Sequence, residues 1–331
     1  MPPATTHMIE GTVIKSTGSW YNVRLDEPTP DGSSELRCRV AGKFRLDDMN
    51  LTNPIAVGDR VSVEVETNND EETGAIRGIA DRRNYVVRQS PRRKHDLHLL
   101  ASNVDQAVLI TTIIDPGIKL GFIDRFLLMT EPFGIPTVIV VNKADRYGED
   151  ELETLEVMRG IYTDIGYTVL LVSAVTGEGI GALRELMQGK RNLLSGQSGV
   201  GKSTLVNAVE PGLDLRTGEL SDYTGKGQHT TTFAELYQLS FGGELIDTPG
   251  IKTLGFNYLK PQDVAHNFRE IFALSEECRF GGSCLHRNEP GCAVKESVEA
   301  EDDRVTDLRY YSYLQILEEV EGQNYWERRK V

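Results

Sequence analysis

The eight residues Gly196-Gln-Ser-Gly-Val-Gly-Lys-Ser203 restrict what this chain can fold into more than any other feature of it. They satisfy G-x-x-x-x-G-K-S at every fixed position, behind an apolar stretch at 192–194 and ahead of a helical pattern at 203–209. Such a loop needs a strand on one side and a helix on the other. Its glycines let successive backbone N–H groups turn inward around phosphates, and the helix N-terminus adds positive partial charge. The expected phosphate-binding set is Gly196, Gln197, Ser198, Gly199, Val200, Gly201, Lys202, Ser203 and Thr204. Lys202 is placed to reach the β- and γ-phosphates, and Ser203 to hold Mg²⁺.

The flanking pattern agrees with that requirement. Apolar runs at 104–114, 137–141, 168–172, 192–194 and 244–246 read as buried strands, and 122–129, 150–165, 180–188 and 203–209 read as helices. Strands alternating with helices predict a parallel sheet covered by helices. The strand at 244–246 runs into Asp247-Thr-Pro-Gly250, a D-x-x-G motif. Asp247 is suited to hold Mg²⁺ through water, and the Gly250 N–H can approach a γ-phosphate because no side chain intervenes. Between the two motifs lies Gly227-Gln-His-Thr-Thr-Thr232, where a threonine, taken as Thr231, can close over Mg²⁺ when the γ-phosphate is present.

Asn142-Lys-Ala-Asp145 ends the strand at 137–141 and matches N-K-x-D. Two acceptor oxygens on Asp145 suit the N1–H and N2–H₂ donors of guanine. Adenine leaves that carboxylate badly paired, at a cost of roughly 1–3 kcal/mol. Asn142 helps to hold the pocket, the Lys143 stem can lie along the base beside Ala144, and Ser173-Ala174 offers a backbone N–H to the guanine O6. The base motifs precede the phosphate loop, the reverse of the usual order. This predicts a circular permutation, tolerated because domain ends often lie close together. It also predicts that nucleotide state passes mechanically from Gly250 to the region beyond residue 260.

The first ninety residues read as all-β, with strands at 11–16, 21–26, 36–44, 60–66 and 74–81 separated by turn-rich clusters. Five short strands predict a small closed barrel, of the oligonucleotide-binding or the SH3-like type. A basic linker at 88–95 follows. The last stretch, from 261, is helical and polar, interrupted by Cys278-x₅-Cys284-x-His286-x₅-Cys292. Three thiolates and an imidazole in so short a segment predict one structural Zn²⁺. Cys38 lies apart within a strand and reads as a packing residue.

Composition decides the partner class only locally. The chain carries 36 basic against 50 acidic residues, a net charge of −14, yet 37–45 and 77–95 are basic stretches while acid gathers at 149–156 and 296–303. The basic stretches suit a phosphate backbone, or else a solvated face. No apolar run approaches the roughly 18 residues needed to span a bilayer, and no secretory signal is read at the N-terminus. Four cysteines do not make a disulfide framework, and the expected compartment is the cytoplasm. Many GTPases place a glutamine directly after D-x-x-G to orient the attacking water; here the residue is Ile251. His229 is the substitute this sequence offers for that catalytic role, which predicts slow intrinsic turnover and strong stimulation by a partner.

The order N-K-A-D, S-A, G-Q-S-G-V-G-K-S, G-Q-H-T-T-T, D-T-P-G and then the Cys/His cluster resembles the ribosome small-subunit-dependent GTPases of the RsgA/YjeQ type. The resemblance spans essentially the whole chain, including Gly42-Lys-Phe-Arg45. It implies an oligonucleotide-binding (OB-fold) barrel over 1–88, a circularly permuted α/β GTPase domain over 89–260 and a helical zinc-binding domain over 261–331. It further implies a monomeric GTP hydrolase that binds rRNA, is stimulated by the small (30S) ribosomal subunit and acts late in that subunit's maturation. The family's usual first cysteine pair is C-x₄-C; this chain has one residue more, which Gly281 and Gly282 can absorb. A GTP-gated RNA-binding module with incidental hydrolysis is the alternative reading. A small-metabolite kinase is disfavoured, since N-K-A-D and the threonine loop would have no use in it.

Overall fold

The computed structural model describes residues 8–41, 51, 53–68, 71–89, 96–213, 234–248, 254–256 and 258–327. Its N-terminal strands are β1 (Met8–Ser16), β2 (Tyr21–Leu25), β3 (Glu35–Val40), β4 (Arg60–Asn68) and β5 (Glu71–Ile79). Tyr21, Val23 and Leu25 alternate inward with the pleat of β2 and pack on Leu36, Val61, Val63 and Ile76. The strands neighbour one another in the order β1-β2-β3-β5-β4, and β4 pairs back onto β1, so the sheet closes. β3 runs parallel to β5 while the other pairs are antiparallel. That closed five-stranded arrangement is the oligonucleotide-binding type rather than the SH3-like one. Cys38 faces the barrel interior, fully buried, with its thiol pushed up to about 12 by burial, so it packs and does not react.

A two-stranded hairpin follows, β6 (Tyr85–Gln89) and β7 (Leu97–Ser102). The stretch expected as a linker therefore begins inside a strand, with Arg88 and Gln89 closing β6. Ordinary α/β alternation then sets in, with β8 (Gln106–Thr111), α1 (Leu120–Thr130), β9 (Thr137–Val141), α2 (Glu149–Asp164), β10 (Thr168–Leu171) and α3 (Ile180–Met187). β11 (Arg191–Gly196), α4 (Lys202–Val209), β12 (Glu235–Gln238) and β13 (Glu244–Asp247) complete it. The long run expected as one strand at 104–114 is strand only over β8, because Thr112 turns its hydroxyl back onto the carbonyls of Ile114 and Pro116. β10, β9, β8, β11 and β13 are parallel neighbours in that order, with β12 antiparallel on the edge. β11 thus lies at the centre although it comes late in the chain, as the permuted motif order requires.

The barrel joins this sheet at its β12 edge. Lys15 of β1 is opposite Glu235 of β12, and their side chains meet at 2.8 Å. Glu244 of β13 sits between Arg24 of the barrel and Arg191 of β11, the latter at 2.6 Å. Burial acts to raise the Glu244 carboxyl, but the two guanidinium groups outweigh it and hold it below the usual carboxylate range.

The C-terminal helices α5 (Pro261–His266), α6 (Arg269–Ser275), α7 (Ala293–Ala300) and α8 (Asp307–Glu327) cover α1 and α2 and share one apolar core with them. Among the described residues no helix is long and apolar enough to cross a membrane. At the seam, Arg309 of α8 donates to Asp124 of α1 at 2.5 Å and to both oxygens of Glu270 of α6 at 2.7 and 3.1 Å. Tyr162 of α2 donates to the same Asp124 oxygen at 2.7 Å. All four side chains are buried. Burial alone would depress the Arg309 guanidinium, yet Asp124 and Glu270 outweigh it and keep the group charged.

Replacing Arg309 with methionine leaves two carboxylates buried without their cation, which costs about 3–5 kcal/mol. Urea denaturation of Arg309→Met should show that loss; a loss below about 1 kcal/mol would mean that the carboxylates reach water and that the seam does not depend on this network.

Candidate nucleotide site and metal cluster

β11 ends at Gly196 and α4 begins at Lys202, so the phosphate loop bridges strand and helix at the C-terminal edge of the parallel sheet. Ligands of open α/β sheets bind at that edge. Gly199 and Gly201 adopt φ of +87° and +85°, a region that favours glycine. A Cβ on Gly201 would sit 2.6 Å from the Asn142 Nδ2, and one on Gly196 would sit 2.7 Å from the Ile110 carbonyl oxygen. Val200 is buried, Gln197 and Ser203 are half-buried, and Ser198 and Thr204 are exposed at the mouth.

Lys202 Nζ donates to Asp247 Oδ1 at 2.5 Å and to the Thr248 carbonyl at 2.9 Å, which brings G-K-S onto the D-x-x-G strand. Thr248 ties that strand back through its hydroxyl to the Leu194 carbonyl at 3.1 Å. Asn142 Nδ2 donates to the Val200 carbonyl at 2.9 Å, and the Ala174 N–H donates to Asn142 Oδ1 at 3.2 Å. Ser173 Oγ donates to Asp145 Oδ1 at 2.5 Å, leaving the exposed carboxylate oriented outward. Lys143 Nζ donates to the Gly199 carbonyl at 2.8 Å and also to that of Asp115. Burial and Arg146 lower the Lys143 amine below its ordinary value, against the opposing pull of Asp115 and Asp145.

The residues expected at 142–145, 173–174, 196–204 and 247 are therefore gathered on one edge of one sheet. Gly250, Ile251, His229 and Thr231 lie outside the described residues, as do Lys43, Arg45, Arg92, Arg93 and Lys94. Sequence reading missed Asp115, whose carboxylate pairs with Arg146 at 2.5 Å beside the N-K-A-D turn. No motif marks it.

The basic stretches divide into two kinds. Arg82 is nearly buried and locked onto Asp59 at 2.6 Å and onto the Pro54 carbonyl at 2.8 Å, so it is part of the barrel's structure. Arg83 pairs with Asp105 at 2.6 Å, and Arg77 and Arg39 pair with Glu64 and Glu66. Arg37 stands exposed over the Trp20 ring, 4.3 Å from its centroid, with no carboxylate partner among the described residues.

Cys278, Cys284, His286 and Cys292 are all buried, and their ligand atoms lie within 4.8 Å of one another. His286 Nδ1 is 3.6 Å from Cys278 Sγ and 3.4 Å from Cys292 Sγ, and those sulfurs are 4.0 Å apart. A tetrahedral Zn²⁺ with bonds of about 2.3 Å to sulfur and about 2.0 Å to nitrogen sets its ligands roughly 3.5–3.8 Å apart. The cluster can therefore hold a metal ion of that size. Burial pushes the Cys284 thiol up to about 12 and raises Cys292 as well, while it lowers His286. Those two shifts favour the protonated forms of Cys284 and Cys292, and a bound cation would displace their protons. The extra residue between the first two cysteines is taken up by a 3₁₀ turn over Gly281–Ser283, with Gly281 at φ +50°. The Gly282 carbonyl lies 2.8 Å from His266 Nε2.

Residues 79–257 match the model of the RsgA GTPase family, and 10–76 match that of the RsgA N-terminal domain. The chain is 47% identical over 308 residues to the small ribosomal subunit biogenesis GTPase RsgA of Flavobacterium psychrophilum, covering 93% of this chain and 92% of that one. It is 46% identical over 317 residues to the protein of the same name from Bacteroides fragilis, covering 96% and 99%. Among solved structures, YjeQ from Thermotoga maritima matches with TM-score 0.73 at 34% identity, covering 96% of this chain and 99% of that chain. YloQ, described as a circularly permuted GTPase, matches with TM-score 0.69 at 30% identity, covering 98% of both.

Gly201→Ala should weaken guanine-nucleotide binding at least tenfold, because the new Cβ forces Asn142 off the phosphate loop and φ is unfavourable for alanine. Gly199→Ala meets nothing closer than Pro116 Cδ at 3.5 Å and should lose less. Titration of a fluorescent GDP analogue into both variants checks the order, and equal losses would show that backbone strain alone governs the loop.

Proposed function

Since the chain belongs to the RsgA family of GTPases, we propose that it hydrolyses GTP as an assembly factor for the small ribosomal subunit, in the cytoplasm, through contact with that subunit's rRNA. The observation that carries the reading is the convergence of N-K-A-D, S-A, G-Q-S-G-V-G-K-S and Asp247 on one sheet edge in permuted order. Gly196 to Gly201 wrap the phosphates with backbone N–H groups, Lys202 contacts the β- and γ-phosphates, and Thr204 stands at the mouth of the loop. Ser203, Asp247 and Thr231 are the residues that would hold a Mg²⁺ ion, which would offset the charge of the phosphates. Lys202, which donates to Asp247 here, would exchange that carboxylate for the phosphates. Asp145 reads the guanine N1–H and N2–H₂, Ala174 donates to O6, and Lys143 and Ala144 flank the base.

The units we assign are a barrel over 1–88, a GTPase domain over 89–260 and a helical zinc domain over 261–331. Support comes from the two family matches and from the helices and turns that make up the described residues after Pro261. Zn²⁺ is the metal the three-sulfur, one-nitrogen donor set favours. An exposed cation over an aromatic ring, Arg37 on Trp20, suits RNA, where a base can stack and a phosphate can pair.

Phosphate release from GTP, measured at fixed salt with and without purified small subunits, tests the central claim. A rise of tenfold or more with the small subunit and none with the large one is the expected result. GTP-dependent binding without stimulation would favour the gated RNA-binding module. In the same assay His229→Ala should lose most of the stimulation; full stimulation would remove that residue from the chemistry.

Metal analysis of the purified chain should find one zinc per molecule. Cys284→Ser should lower both the zinc content and the melting temperature, by several degrees for a loss of about 2 kcal/mol in a domain-sized unit. Absence of zinc from fresh protein would refute the assignment.

A further inference from the structure

We propose that Tyr147 is a positioning residue for guanine recognition, a hydroxyl staple that fixes the N-K-A-D turn so that Asp145 meets the base at the right distance. The inference rests on the guanine-pocket reading given above and adds to it a residue outside every motif of that pocket. The Tyr147 hydroxyl uses its one proton to donate to the Asn142 carbonyl at 2.5 Å, and it accepts the Ile113 N–H at 2.9 Å. One oxygen thus closes the turn on itself and fastens it to the end of β8. Burial raises the phenol above its ordinary value, against the opposing pull of the Ile113 N–H and with Asp145 and Glu151 adding to it, so the donor proton stays in place.

The turn needs such a staple. Lys143 adopts φ +70°, a left-handed conformation that a side chain other than glycine holds only when its surroundings over-determine it. Asn142 has its amide N–H on the Thr111 carbonyl at 2.9 Å and its side chain on Val200 and Ala174, and Tyr147 takes its backbone carbonyl. Asp145 follows two residues after the strained Lys143 and is itself exposed. Ser173 fixes only one of its oxygens. Rotation of the peptide after Asn142 would swing that carboxylate relative to the base, while the phosphate loop keeps its own strand-to-helix anchors in β11 and α4.

Tyr147→Phe keeps the ring and removes only the hydroxyl, so the core volume is unchanged. The expected signature is selective. The full-length variant should bind GDP about tenfold more weakly, a change worth about 1.4 kcal/mol, while its affinity for IDP, which lacks the 2-amino group, falls by no more than about threefold. The ratio of the two dissociation constants therefore shrinks. Turnover at saturating GTP should stay at the wild-type value, with the loss appearing in KM. Thermal melts set a temperature at which both proteins are folded, so that general destabilisation, which would weaken GDP and IDP equally, is separated from misplacement of Asp145. An unchanged GDP-to-IDP ratio in Tyr147→Phe, alongside clear discrimination by the wild-type chain that Asp145→Ala abolishes, overturns the role of Tyr147 and leaves the pocket intact. No discrimination by the wild-type chain, or none lost in Asp145→Ala, overturns the pocket reading itself and the staple with it.

Discussion

Asn142 makes four hydrogen bonds, and each goes to a different part of the molecule. Its N–H is on the end of β8, its carbonyl on Tyr147, its side-chain nitrogen on the phosphate loop and its side-chain oxygen under the Ser173-Ala174 turn. An unmet polar group in that buried position costs roughly 1–3 kcal/mol, so the four segments are held in one arrangement or the residue loses its partners together. Gly201 is glycine because Asn142 occupies the space a Cβ would need. The parallel sheet supplies the coarse framework, and this one side chain sets the fine spacing between the base end and the phosphate end of the site.

That framework is held from two sides. At the β12 edge the barrel adds its strand β1 and the Arg24–Glu244–Arg191 chain, so barrel and sheet share a continuous hydrogen-bonded surface. On one face of the sheet, the helices α1 and α2 are capped by α5 to α8 in a single core, while α3 and α4 close the opposite face with a second core around Leu183, Met187 and Leu205. The sequence-level expectation of coupling from Gly250 towards the C-terminal region thus acquires a packed neighbour. Leu254, Phe256 and Leu259, the described residues that follow, are buried in the core shared by α1 and α8.

Much of this was legible before any coordinates. Strand–loop–helix at 196–209, the base motif at 142–145 and the Cys/His cluster are local patterns whose chemistry fixes both residue type and spacing, so they announce themselves. What stayed hidden depends on contacts between distant segments. β12 carries only one buried side chain, Leu236, and is a strand because β1 and β13 flank it. The β6–β7 hairpin was obscured because a charged, proline-containing stretch interrupts its alternation. Arg82 read as part of a basic face, yet Asp59, 23 residues earlier, claims it inside the barrel. A charge run reports composition; which charges are free is decided by the fold.

The metal cluster and the nucleotide domain meet through the first turns of α8. Arg309 points to Asp124 on α1 and Glu270 on α6, while its neighbour Tyr310 donates to the His286 carbonyl at 2.5 Å and Tyr313 to that of Leu285 at 2.8 Å. Residues 310 and 313 lie about one turn apart, and residue 309 stands about 100° from 310 and about 40° from 313. The start of one helix therefore bonds both the metal-ligand loop and, through Arg309, the helices α1 and α6. The cysteines belong to the same apolar core as Phe268 and Tyr313, so the ligand loop has no separate core to fall back on. The loop carbonyls of Leu285 and His286 accept from two α8 tyrosines, and the same helix sets Arg309 on Asp124 and Glu270. The four candidate ligands and the seam with the nucleotide domain therefore share one helix and one apolar core.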